Sequence, residues 1–294
     1  MTKPVPGPNP NPTKPRIIIP TGACDCHSHI VGPTDRFPFV LEPNYTPPNA
    51  PLEDYLVLLN SLELTRAIIV QPSFYGTDNL CSEDAISRMD GRARGVAVID
   101  PEIAEKEVAR LNEAGFCGTR LNLINSSGNT RLDDLEKIAN KIAPFDWHIQ
   151  LFLHGRLLPD LISRLLDLPV EITIDHLGLM DPGQGIEQPG FQALLKLVVA
   201  GRCWVKLCPY RFDLTGYPYA KAQPLARALY KAAPERMLWG TDWPHPDVPG
   251  QNPGEAGLMP NDGDLLNALG IWFEEEADVH RILVDNPARL YGFD

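Results

Sequence analysis

The sequence predicts a (β/α)8 barrel, the TIM-barrel class of α/β fold, on three observations. Eight short apolar or β-branched runs recur along 294 residues, stretches of helical period separate them, and no glycine-rich dinucleotide fingerprint follows the first run. Eight such units fit a closed parallel barrel better than an open doubly wound sheet, which stays as the alternative. Runs that are apolar nearly throughout suit a sheet covered on both faces.

The predicted strands are Ala23–Cys26, Ala67–Val70, Gly95–Ile99, Gly118–Leu121, Ile149–Leu153, Val170–Ile174, Trp204–Leu207 and Met237–Trp239. Helical period marks Leu52–Leu62, Glu102–Ala114, Leu132–Ile142, Leu157–Leu166, Phe191–Val199 and Pro224–Ala232. Residues 1–16 are rich in proline and polar residues and lack apolar period, so they are expected as a flexible arm or surface strap. Residues 17–294 are expected as one catalytic barrel domain.

A chain with 44% hydrophobic and 22% charged residues can bury a sizeable core. No apolar run reaches the roughly 18 residues of a membrane span, and no signal pattern opens the chain, so a cytoplasmic protein is expected. The net charge of −12 argues against nucleic acid or an anionic membrane as partner, both of which need clustered Lys and Arg. A small anionic substrate stays open, because a few arginines can invert the field inside a cleft. The acidic surface and the arm are compatible with a homo-oligomer. The six cysteines form no zinc-ribbon pattern, and Cys24 and Cys26 read as small barrel-wall side chains.

Barrel chemistry sits at the C-terminal ends of the strands. The first run leads into Asp25-Cys26-His27-Ser28-His29, where period two puts both histidines on one side. The fifth run ends at His154, the sixth at Asp175-His176, and the eighth at Asp242. Four of the seven histidines and a carboxylate thus fall where a barrel makes side chains converge. A non-catalytic barrel would lack at least one of these groups.

Asp25-x-His27-x-His29, Asp175-His176-x-Gly178 and Trp239-Gly-Thr-Asp242-Trp-Pro-His245-Pro resemble the amidohydrolase superfamily. His29-Ile-Val-Gly-Pro33, Phe37-Pro38-Phe39, Gln71-Pro-Ser-Phe-Tyr-Gly-Thr77-Asp78-Asn79 and Asp285-Asn286-Pro287-Ala-Arg-Leu-Tyr291 narrow the match. They look like the branch holding 2-pyrone-4,6-dicarboxylate lactonase and 4-sulfomuconolactone hydrolase.

The resemblance implies a divalent metal, zinc or else manganese, on His27, His29, His154 and Asp242, three imidazoles and a carboxylate. Pyrone-dicarboxylate lactonases work without metal and lack the strand-five histidine; the presence of His154 here favours metal. Arg120 and Asn122 end the fourth strand in place of a carboxylated lysine, which argues against a binuclear centre.

The expected reaction is opening of an anionic lactone, muconolactone- or pyrone-type, in aromatic-compound degradation. Asp242 would be general base on water, and His176 or His154 would stabilise the oxyanion or protonate the leaving oxygen. Arg120 and Arg211 are the expected anion binders, with Tyr45, Ser73, Thr77 and Asn122 as hydrogen-bond partners. Residues 124–127 and 178–180 carry no arginine where pyrone lactonases have them, so a less anionic substrate, such as a sulfonated muconolactone, is expected. A metal-dependent decarboxylase of an aromatic or muconate-type acid, and a sugar-lactone hydrolase or isomerase, share the ligand set and stay open.

Overall fold

The computed structural model describes residues 6–41, 43, 45–124, 131–245 and 258–294. Residues 1–5 of the arm and 125–127 of the arginine-poor segment lie outside the described residues. Eight parallel strands run in sequential order: β1 (Cys24–Ser28), β2 (Arg66–Val70), β3 (Ala93–Ala97), β4 (Phe116–Asn122), β5 (His148–Phe152), β6 (Ile172–Ile174), β7 (Cys203–Lys206) and β8 (Met237–Leu238). The ring closes through backbone bonds between the last strand and the first. Cys26 N donates to Trp239 O at 2.9 Å, and Asp242 N donates to His27 O at 2.8 Å. All eight predicted strands are present, and the open sheet is excluded.

Around the barrel lie α1 (Leu52–Ser61), α2 (Leu80–Ser87), α3 (Glu105–Glu113), α4 (Leu135–Ile142), α5 (Leu158–Leu166), α6 (Pro189–Val199), α7 (Gln223–Ala232), α8 (Asp262–Trp272), α9 (Glu276–His280) and α10 (Asn286–Tyr291). The sequence pattern missed four of them for physical reasons. Helix α2 is short and buries Ser82 beside Ala85 and Ile86, so its inner face is not all apolar. Helix α8 buries Leu265, Leu266, Ala268 and Leu269, apolar on more than one side, which erases the amphipathic stripe. Helices α9 and α10 are five and six residues long, too short to show a period. Among the described residues no helix is long and apolar enough to cross a membrane.

Side-chain period two is interrupted once where it matters. The β1–β2 register advances three residues on β1, from Asp25 to Ser28, for two on β2, from Ala67 to Ile69: a bulge. Cys24 and Cys26 therefore join the barrel's inner cluster with Ile68, Val70, Val96, Trp204 and Leu238, while His27 and His29 also enter the barrel mouth. Asp25 points behind the wall and pins the bulge. Its carboxylate accepts from His27 N at 3.1 Å, Thr241 N at 2.9 Å, Thr241 Oγ1 at 2.6 Å and Tyr55 Oη at 2.9 Å.

The chain's end completes the same inner cluster: Tyr291 and Phe293 pack with Cys24, Cys26 and Trp204, and the guanidinia of Arg66 and Arg94 stack on Phe293. Asn286 ties this end to the wall by donating to Pro234 O and Met237 O, at 2.9 and 2.7 Å. His148, at the start of β5, packs its ring on Tyr291 over Gly118, where a Cβ would come within 2.5 Å of the imidazole.

Burial, followed by the charge of Lys206, brings the His148 pKa down to about 3, so the folded protein keeps this ring neutral. The unfolded chain takes up a proton near pH 6.5 that the folded chain refuses down to about pH 3. Stability is therefore full above pH 6.5 and falls as the pH drops below it. Replacing His148 by Gln should flatten the pH dependence of the urea-unfolding free energy between pH 6 and 4 by about 1.4 kcal/mol per pH unit. An unchanged slope would mean that His148 is charged in the fold.

Candidate active site

Strand register brings the inward side chains together: Arg120 pairs with Gln150, Gln150 with Thr173, Thr173 with Trp204, and Lys206 follows two residues on. The β6 end then turns left-handed, with φ of 49° at His176, 49° at Leu177, 66° at Gly178 and 48° at Leu179. Such a run is strained for side-chain-bearing residues and persists only when its surroundings fix it. It carries His176 against the rings of His27, at 4.9 Å, and Phe152, at 5.4 Å.

His27, His29, Asp175, His176, Lys206 and Asp242 are all buried. His29 Nδ1 lies 2.7 Å from the carbonyl of Val70, which can only accept, so Nδ1 carries the proton and Nε2 is a bare lone pair in the neutral ring. That Nε2 lies 3.2 Å from Asp242 Oδ1, and His27 Nε2 lies 3.4 Å from the same oxygen. His27 Nε2 and Asp242 Oδ1 have no hydrogen-bond partner. Buried acceptors facing one another need a cation or a proton between them. Two imidazoles and one carboxylate fit a divalent metal site with an open position, and His27, His29 and Asp242 form such a group. Asp175 Oδ1, 3.3 Å from His27 Nδ1, is placed to accept that nitrogen's proton.

Asp242 is held on its other oxygen. Tyr210 Oη and Arg211 Nε each donate to Oδ2 at 2.5 Å, and His176 Nε2 stands 3.7 Å away. Burial alone would raise this carboxyl; the Arg211 guanidinium outweighs it and holds it well below the usual carboxylate range. Burial keeps the histidines neutral in turn: His27 and His29 are lowered, and His176 falls to about 3. His176 thus meets a substrate as a neutral ring, able to donate an N–H but not to act as imidazolium.

Below this face sits a buried charge network. Lys206 Nζ donates to Gln150 Oε1 at 2.7 Å and lies 3.3 Å from His27 Nδ1 and 3.7 Å from Asp175 Oδ1. Arg120 approaches Asp175 Oδ2 through Nη2 at 3.2 Å and Nε at 3.3 Å, and Gln150 Nε2 donates to the same oxygen at 3.1 Å.

The expected site residues separate into two sets. His27, His29, His176, Asp242, Arg120 and Arg211 converge, and the guanidinia of both arginines lie over the Phe152 ring at 5.1 and 5.5 Å. His154 does not join them. It is half-buried at the turn after β5, its backbone oxygen accepting from Leu157 N, and it belongs to neither His/Asp group that could hold a metal among the described residues. At the depth of His176, β5 presents Phe152 instead. Asn122 is buried at the end of β4, where its Oδ1 accepts from Ile124 N. Ser73 is buried in the turn after β2, Thr77 is exposed further along that loop, and Tyr45 packs edge-on against Phe74. Lys206, Gln150, Asp175 and Tyr210 were not singled out as site residues. Gln150 and Lys206 lie inside their strands, and strand pairing is what places both side chains on the inner face.

Residues 24–293 match the Amidohydrolase family model. The chain belongs to the amidohydrolase family. This amidohydrolase is 35% identical over 280 residues to a 4-sulfomuconolactone hydrolase of Hydrogenophaga intermedia, covering 94% of this chain and 91% of that one. It is also 35% identical to a 2-pyrone-4,6-dicarboxylate hydrolase of Comamonas testosteroni, covering 96% and 93%. A crystal structure of an Agrobacterium tumefaciens protein in its apo form superposes with a TM-score of 0.81 at 30% identity, covering 95% of this chain and 99% of the other.

Proposed function

We propose that this amidohydrolase opens a small anionic lactone of the muconolactone type, such as 4-sulfomuconolactone, in the breakdown of aromatic compounds. The observation that carries the reading is Asp242: ionised, held on Oδ2 by Tyr210 and Arg211, and presenting bare Oδ1 beside two imidazole nitrogens. A carboxylate so placed can take a proton from an attacking water. The likeness in sequence to lactone hydrolases supports the substrate class.

His27, His29 and Asp242 would hold one divalent ion, zinc in this reading; such an ion lowers the pKa of a bound water and polarises a carbonyl. The protein's own groups do the rest. Asp242 receives the water's proton on Oδ2, once Arg211 turns from that oxygen to the substrate's anionic group. Neutral His176 offers an N–H towards the oxygen that gains charge when the ring carbonyl is attacked. Arg120 and Arg211 bind the substrate's anionic group, and their stacking on Phe152 fixes the guanidinium planes. Asn122, Tyr45, Ser73 and Thr77 are the hydrogen-bond partners of the remaining oxygens.

The test combines product analysis with metal content. With 4-sulfomuconolactone, ring opening should release one proton per turnover, and mass spectrometry of the protein should find one equivalent of divalent metal. That metal should be lost in His29→Ala and kept in His154→Ala. Carbon dioxide release would point to the decarboxylase, and a rearranged lactone to the isomerase. Undiminished hydrolysis without metal would overturn the ligand assignment.

A further inference from the structure

The N-terminal arm lies along α8 in a groove made for it. Gly263, Asn267 and Gly270 stand four and three residues apart, a single stripe on the helix. A Cβ at Gly263 would fall 1.6 Å from the backbone oxygen of Thr13, and one at Gly270 would fall 2.2 Å from the Ile17 side chain. Two asparagines then grip the arm's backbone from both sides. Asn267 accepts from Arg16 N at 2.6 Å and donates to Lys14 O at 3.1 Å. Asn261, the residue capping α8, accepts from Thr13 N at 2.7 Å and donates to Asn11 O at 3.1 Å.

Between Asn261 and Gly263 sits Asp262, buried, with its Oδ1 2.8 Å from His245 Nε2. His245 in turn belongs to the turn that carries Asp242. Its backbone N donates to Asp242 O at 2.8 Å, and its ring packs edge-on at 5.0 Å against Tyr210, which donates to Asp242 Oδ2. Asp242 and His245 both hold left-handed backbone, with φ of 63° and 61°, which residues with a side chain adopt only where neighbours impose it. Asp262 is the anchor that reaches this turn from outside the barrel wall.

We infer that the arm acts as a strap whose clamping of α8 keeps Asp262 against His245, and that His245 and Asp262 are positioning residues for the catalytic carboxylate Asp242. The inference takes Asp242 as the reacting group, as the proposed function does. The strap works at a distance from the substrate; its loss misorients the carboxylate first and reaches the anion pocket only through Arg211, which is bonded to that carboxylate.

The test uses the full chain carrying Gly263→Ala and Gly270→Ala. Both changes remove space the arm needs and favour the helix itself, since alanine is the better helix former. Hydrogen exchange should show the Thr13 and Arg16 amides losing protection, which verifies release of the strap. The 15N–1H signal of His245 Nε2, assigned by comparison with Asp262→Asn, should shift, and kcat on the lactone should fall about tenfold, with a smaller rise in KM carried by Arg211. Asp262→Asn should give a similar fall alone and little further loss on top of the glycine changes. Release of the strap with the His245 signal and kcat both unaltered would overturn the inference. If the glycine variant does not fold or keeps its strap, Asn267→Ala is read by the same signals. If the wild-type protein leaves the lactone intact, the substrate reading fails alone, and the His245 signal still decides this one.

Discussion

Asp242→Asn should lower kcat by about 10³- to 10⁴-fold, the scale of losing a positioned general base. The change is nearly isosteric, but an amide can take neither a proton nor the full charge that the site supplies to Arg211. Whichever way the amide turns, its NH2 meets a poor partner. Placed at Oδ2 it faces two donors, Tyr210 Oη and Arg211 Nε; placed at Oδ1 it faces His27 and His29 and leaves no basic oxygen there. Steady-state kinetics with circular dichroism, to verify the fold, would measure this. A variant keeping a tenth or more of the wild-type kcat would remove Asp242 from the role of base.

Lys206→Met is the second large effect, and it falls on stability. The lysine is fully buried; burial lowers its pKa, and Asp175 opposes that trend. Methionine fills the stem's volume but leaves Gln150 Oε1 without its donor and takes one of two cations from Asp175. Breaking a buried charge pair from one side costs about 3–5 kcal/mol. Arg120 still faces Asp175, so the lower end, about 3 kcal/mol, is expected in urea unfolding at pH 7. A loss under about 1 kcal/mol would mean that Lys206 is not the counter-charge of Asp175 in the fold.

The barrel was legible because each strand is a short apolar run and the helices between them carry the opposite period; α8 escaped because a helix buried on several sides has no polar face to betray it. The carboxylate end of the site was legible for a similar reason. Residues at strand ends need no knowledge of register, so His27, His29, His176 and Asp242 could be collected directly. The network beneath them could not. Lys206 and Gln150 lie within strands, and only the pairing of β4 through β8 shows which of their faces is inside. His154 illustrates the opposite error. It stands at a strand end in sequence, but β5 stops at Phe152, and the ring of Phe152 takes the place beside His176. The bulge in β1 was equally hidden, since period two describes His27 and His29 correctly while Cys26, on the other side of an ideal strand, shares the barrel interior.

Tyr291 and Phe293 cork the barrel from below, which gives the chain's order of synthesis a physical meaning. Cys24 and Cys26 leave the ribosome long before Tyr291 and Phe293, the aromatic rings that cover them. No nascent chain that has yet to reach Tyr291 holds a dry interior, so the ordinary rule that early segments settle first does not apply to this core. A chain cut just before Tyr291 would keep every residue of the active site and still deliver an uncorked, wettable barrel.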